Sequence, residues 1–173
     1  HPERARAIPR VGLATAPSFS PENTFRAPDG RESGTGLSTT SDVALLRELF
    51  ANAIEASTTL DVDAALRRDM EGALARLPPY RIGERGQLQE WSEDFDEPEP
   101  HHRHVSHLIG LHPGRSITPA ETPALADAVR RALEVWWRGC GAGVPLVSMV
   151  AVARAREHVS RSGETKWDSE RDC

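Results

Sequence analysis

Residues 41–79, SDVALLRELFANAIEASTTLDVDAALRRDMEGALARLPP, decide the fold class. Val43, Leu46, Leu49, Phe50, Ala53 and Ile54 recur at three- and four-residue steps, which puts them on one face of a helix. Arg47, Glu48 and Glu55 fall mostly on the other side. Ser41 or Asp42 is the expected N-cap. A second helix is expected from about Asp61 to Arg76, with Ala65, Leu66, Met70, Ala73, Leu74 and Leu77 as its buried stripe. Pro78-Pro79 stops it, since neither residue can donate to the helix ladder. With only a few residues between them, the two helices should pack as an antiparallel hairpin.

Upstream, Val11–Ala16 is a short apolar patch. Pro17-Ser18-Phe19-Ser20-Pro21-Glu22-Asn23 follows, and its two prolines forbid a continuous helix and fix a rigid loop. Residues 27–41, rich in Gly, Ser and Thr, read as an exposed loop. Downstream, Val105–Leu111 suggests a short helix closed by Pro113-Gly114. Thr122 with Pro123 at the first helical position signals another helix, whose stripe is Leu125, Ala128, Val129, Ala132, Leu133 and Trp136. An apolar run from Val144 to Ala155 suggests a further helix or buried segment. The class is all-α, with long loops of the kind that usually carry function. The organisation expected is one partial domain over residues 1–159 and a polar, disordered tail over 160–173.

Composition narrows the partners. A net charge of −5 over 173 residues offers no basic face for nucleic acid. No apolar run approaches the roughly 20 residues that cross a membrane. Cys140 and Cys173 lie in no metal-binding or redox spacing. The chain begins with His1 and reads as a piece of something larger.

The chemistry concentrates in Arg81–Gly114. Gln87, Gln89, Glu90, Trp91, Glu93 and Asp94 crowd one short reach, and five of the seven histidines follow: His101, His102, His104, His107 and His112. A metal site would favour histidines four apart with a carboxylate partner, as in HExxH, and that pattern is absent. The plain structural reading has imidazoles capping helix ends, Glu90–Glu99 as a solvated acidic loop, and Trp91 in the core. A carbohydrate reading uses forked hydrogen bonds from His, Gln and Arg with an indole against the sugar face. Hydrolysis would add a carboxylic acid that protonates the leaving oxygen and a second group that activates water. Glu22 and Glu90 are both candidates on spacing alone.

In order, the motifs Pro17–Asn23, Leu77-Pro78-Pro79-Tyr80-Arg81-Ile82-Gly83, Gly86-Gln87-Leu88-Gln89-Glu90-Trp91 and His102-Arg103-His104-Val105-Ser106-His107-Leu108 resemble glycoside hydrolase family 95, over roughly residues 11–137. The resemblance implies part of an (α/α)6 toroid that removes terminal α-1,2-linked L-fucose, or L-galactose in some members, with inversion. It implies a glutamate as general acid, matched here to Glu22 in a partly desolvated setting. Water is activated in the family by an asparagine reinforced by an aspartate. Gln87, Glu90, Trp91, Arg103, His104 and His107 are expected to line or support the sugar pocket, with no metal and no cofactor. A fucosylated glycan is the implied partner, and a secreted or periplasmic location fits the family.

Two departures accompany the resemblance. The family's catalytic asparagines fall upstream of the residues given, so the expectation is an inactive fragment. The family's Arg-Gly-Asp and Thr-Gly-Trp-Ser pattern is replaced by Arg138-Gly139-Cys140-Gly141-Ala142-Gly143-Val144-Pro145-Leu146, which suggests a frame change near 136–145. The rival readings are a non-catalytic carbohydrate-binding helical module and a metal-dependent hydrolase using the histidines.

Overall fold

The computed structural model describes residues 12–137. The expectations for residues 1–11, Val144–Ala155, the Cys140 region and the 160–173 tail lie outside that range. Two short strands, β1 (Phe25–Arg26) and β2 (Glu32–Ser33), precede helices α1 (Thr40–Leu60) and α2 (Ala64–Arg76). A short 3-10 helix, Ser106–Gly110, and helix α3 (Pro123–Trp137) complete the order. The all-α character holds among these residues. The loop over 27–41 nevertheless contains a small antiparallel pairing, Phe25 opposite Ser33 and Arg26 opposite Glu32.

α1 begins slightly earlier than the expected N-cap. Thr39 is the cap, its hydroxyl oxygen accepting from the Asp42 N–H at 3.4 Å. Asp42 sits instead in the first turn, where a negative charge complements the helix dipole. Its carboxylate accepts a 2.6 Å hydrogen bond from the Ser18 hydroxyl. At the far end Asp61 adopts the left-handed conformation, φ 53°, and its N–H reaches the Ser57 and Thr58 carbonyls. Asp63 is left-handed as well. Two such residues in a three-residue link reverse the chain tightly, so that α2 packs back on α1.

The stripe expected of α2 is not buried. No α2 residue reaches the interior, Leu66 is 55% exposed, and only Leu77, just beyond the helix, is enclosed. On α1, Leu49 is likewise exposed while Val43 and Ala44 are buried. An amphipathic face is buried only when another element lies over it, and no described residue covers these outer faces.

The core forms around α3. Its stripe behaves as its spacing predicts, with Ala128, Val129, Leu133 and Trp136 buried against Leu88, Leu108, Leu111 and Ile117, and Leu125 and Ala132 packed at the margin. Each fully buried aliphatic side chain of this kind contributes about 1.5–3 kcal/mol. Leu88 docks by its backbone too, donating to the Ala128 carbonyl at 3.0 Å. Around it, residues 81–89 bend back on themselves, with Gly83 N–H on the Gln87 carbonyl and Gln89 N–H on the Arg81 carbonyl. Gly83 is required there, because a Cβ would overlap the Gln87 carboxamide and the Asp94 carboxylate. This bend places Gln87 and Glu90 over the N-terminus of α1 and beside α3.

Candidate active site

Glu22 stands on the turn Ser20–Asn23, closed by the Asn23 N–H on the Ser20 carbonyl at 3.1 Å. Its backbone is left-handed, φ 57°, an uncommon conformation for a residue with a side chain. The turn is anchored through Ser18, whose hydroxyl meets Thr39 Oγ1 at 2.9 Å as well as Asp42, and whose N–H donates to Gly36. The Glu22 carboxylate takes a hydrogen bond from the Arg103 guanidinium and lies 3.2 Å from His104 Nε2. Residues far apart in sequence thus meet at one carboxylate. The partial desolvation expected for Glu22 is not found: its side chain is 57% exposed, since nothing described packs over its outer side.

Glu90 is the opposite case. It is 4% exposed, and its Oε2 lies 3.2 Å from His107 Nδ1. The approach falls short of hydrogen-bond alignment, so the two interact chiefly as charges. Burial pushes the Glu90 carboxyl up. The His107 charge, helped by the side chains of Ser20 and Asn23, outweighs burial and holds it at about 2. His107 shows the reciprocal balance, with burial depressing it and the Glu90 charge raising it on balance. Glu90 is therefore ionised near neutrality, and its charge favours the protonated form of His107. Nearby Glu97 goes the other way, pushed up by burial and then by the Glu90 charge.

These groups border a cleft, partly open to solvent, lined by Asn23, Gln87, Glu90, His104 and His107 together with Arg85, Glu97, Glu99, His102 and Trp136. Glu22 joins it through His104. Gln87 donates from Nε2 to Asp94 at 3.0 Å, while its Oε1 is buried without a partner among the described residues. Arg103 is exposed and reaches the site only through Glu22.

Trp91 lies in the core and not on the lining of the cleft. It is 2% exposed, away from the cleft, with Phe25 against its ring at 4.7 Å and Phe95 stacked on Phe25 at 4.4 Å. Its role is to support the segment that carries Glu90. The aromatic side chain that does line the cleft is Trp136, whose indole N–H donates to the His102 carbonyl at 2.9 Å. Sequence reading assigned Trp136 to the core stripe only. It also left Asn23 and Glu97 without a role, although Asn23 stands beside Glu22 in the same motif. Among the described residues no group of three His, Cys, Asp or Glu side chains is disposed to hold a metal ion. No helix there is long and apolar enough to cross a membrane.

Several known proteins are similar to this chain. Alpha-L-fucosidase 2 of Arabidopsis thaliana is 46% identical over 123 residues, 70% of this chain and 15% of that protein. Probable alpha-fucosidase A of Aspergillus oryzae is 36% identical over 80 residues, 43% of this chain and 11% of that protein. Its counterpart in Aspergillus niger is 34% identical over 101 residues, 56% of this chain and 12% of that protein. The chain thus spans about a seventh or less of the relatives it matches. Residues 7–160 match the glycosyl hydrolase family 95 catalytic domain. Because that match takes in both loops of the cleft and all three helices, the chain belongs to glycosyl hydrolase family 95, and its helices are part of that family's α/α toroid.

Proposed function

We propose that the whole protein hydrolyses terminal α-1,2-linked L-fucose from glycans with inversion, and that Glu22 is its general acid. The observation that carries this reading is the convergence of Arg103 and His104 on the Glu22 carboxylate beside the cleft. In the step, a water oxygen attacks the anomeric carbon as the bond to the leaving oxygen breaks. Glu22 gives its proton to that leaving oxygen, and the water's proton passes to the base. The family resemblance assigns that base to an asparagine outside residues 12–137.

On this reading the cleft wall holds the sugar. Gln87 lines it, and His104 reaches both the cleft and the acid. Glu90, His107 and Trp91 support the wall, and Arg103 orients Glu22. The relatives named as fucosidases support the sugar assignment. The test is to follow the whole protein on an α-1,2-fucosylated oligosaccharide by proton NMR. β-L-fucose should appear first and mutarotate later; α-L-fucose appearing first, or no fucose at all, would contradict the reading.

A further inference from the structure

Glu90 joins the two pieces of chain that meet at Glu22. On one side, Asn23 borders the same cleft as Glu90, and the Ser20 and Asn23 side chains favour the charged form of its carboxyl. These residues close the turn on which Glu22 stands in its left-handed conformation, and they are 1% and 5% exposed. On the other side, Glu90 pairs with His107 at 3.2 Å. His107 lies in the 3-10 helix that follows Arg103 and His104, the two residues that hold the Glu22 carboxylate. The backbone beneath is fixed as well: Thr40 N–H donates to the Glu90 carbonyl at 3.0 Å, and the Thr40 hydroxyl to the Gln89 carbonyl at 2.6 Å. Thr40 opens α1, next to Thr39, whose hydroxyl lies 2.9 Å from the Ser18 hydroxyl. The acid's turn and the Glu90 segment therefore share one base.

We infer that Glu90 is a positioning residue, which sets the place of the Glu22 carboxyl group through Ser20 and Asn23 on one side and His107 on the other. The inference rests on the reading of Glu22 as general acid. The Glu90 carboxylate is enclosed and paired with His107. What it can do is hold the acid in register with the leaving oxygen, where a misplacement of about 1 Å can cost on the order of 10²-fold in rate.

Leaving-group dependence separates positioning from binding and from general damage. The whole protein and its Glu22→Gln and Glu90→Gln variants would be assayed on an α-1,2-fucosyl oligosaccharide, which needs protonation of its leaving oxygen, and on α-L-fucosyl fluoride, which does not. Glu22→Gln should lose about 10²- to 10⁴-fold on the oligosaccharide and little on the fluoride. Glu90→Gln should show the same selectivity, with a loss of about tenfold or more in kcat on the oligosaccharide, an unchanged KM, and near-normal fluoride turnover. Equal losses on both substrates, or a raised KM with unchanged kcat, would overturn the positioning role while leaving Glu22 as the acid. A Glu22→Gln variant without selectivity would sink the acid assignment itself. Should Glu90→Gln fail to fold, Ser20→Ala and Asn23→Ala decide. Each removes a polar side chain of the turn that favours the charged carboxylate and should reproduce the selectivity in weaker form; uniform or absent losses in both would overturn the inference.

Discussion

Glu90 and His107 form a buried ion pair, with Nδ1 3.2 Å from Oε2 and side chains 5% and 12% exposed. The pair sits where the loop bearing Glu22, the bend over 81–89 and the 3-10 helix come together. Its chemistry therefore governs both the stability and the geometry of the site.

The first consequence is a stability optimum in mildly acidic solution. Glu90 is depressed from 4.5 to about 2, so its contribution is fully present above about 4.5 and is lost as pH falls towards 2. His107 is raised from 6.5, so its contribution is fully present below that value and is lost as pH rises through its elevated folded value. Glu97 is raised as well, and it withdraws stability as pH climbs through its own folded value. Thermal unfolding of the chain against pH should peak between about 4.5 and 6.5. The Glu90→Gln/His107→Gln double variant should flatten the acid limb; an acid limb unchanged in that variant would place the controlling group elsewhere.

Breaking the pair from one side should cost more than removing both charges. His107→Gln strands a buried carboxylate, and a single removal of this kind costs about 3–5 kcal/mol. Exchanging both residues for glutamine leaves no uncompensated charge and should recover a large part of that loss. Denaturant unfolding of the two single variants and the double variant measures the coupling. Strict additivity would mean that the pair does not act as a unit.

The two amphipathic faces should respond oppositely to truncation. Leu133→Ala opens a void in the core around α3 and should cost about 2–5 kcal/mol. Leu66→Ala, on the uncovered face of α2, should change the stability of this chain by no more than about 0.5 kcal/mol. Parallel denaturant titrations would show it. A large loss at Leu66 would mean that this face is covered in solution.

The helices were legible in the sequence because their signals are local. Proline at 78 and 123 and the spacing of Leu125, Val129, Leu133 and Trp136 need no knowledge of the rest of the fold. Burial of those stripes was legible only in part. The spacing of α2 puts Leu66, Met70, Ala73 and Leu74 in one stripe, but what lies over it is not written in α2. The site shows the same division. Glu22, His104 and His107 were singled out, and they converge on the cleft or its edge. The acidic run over 90–99 hides opposite fates: Glu90 is enclosed and ionised, and Glu97 is pushed towards its neutral form, because the loop folds back beside α3. Trp91 is held in the core by Phe25 from a distant strand, and Trp136, a core residue, also borders the cleft.

The role of Glu22 is tested most directly by the Glu22→Gln variant of the whole protein, assayed for fucose release from an α-1,2-fucosylated oligosaccharide beside calorimetric binding of L-fucose. The account predicts a loss of turnover of about 10²- to 10⁴-fold, with fucose affinity within a fewfold of the unaltered protein. Turnover near the unaltered rate would contradict it.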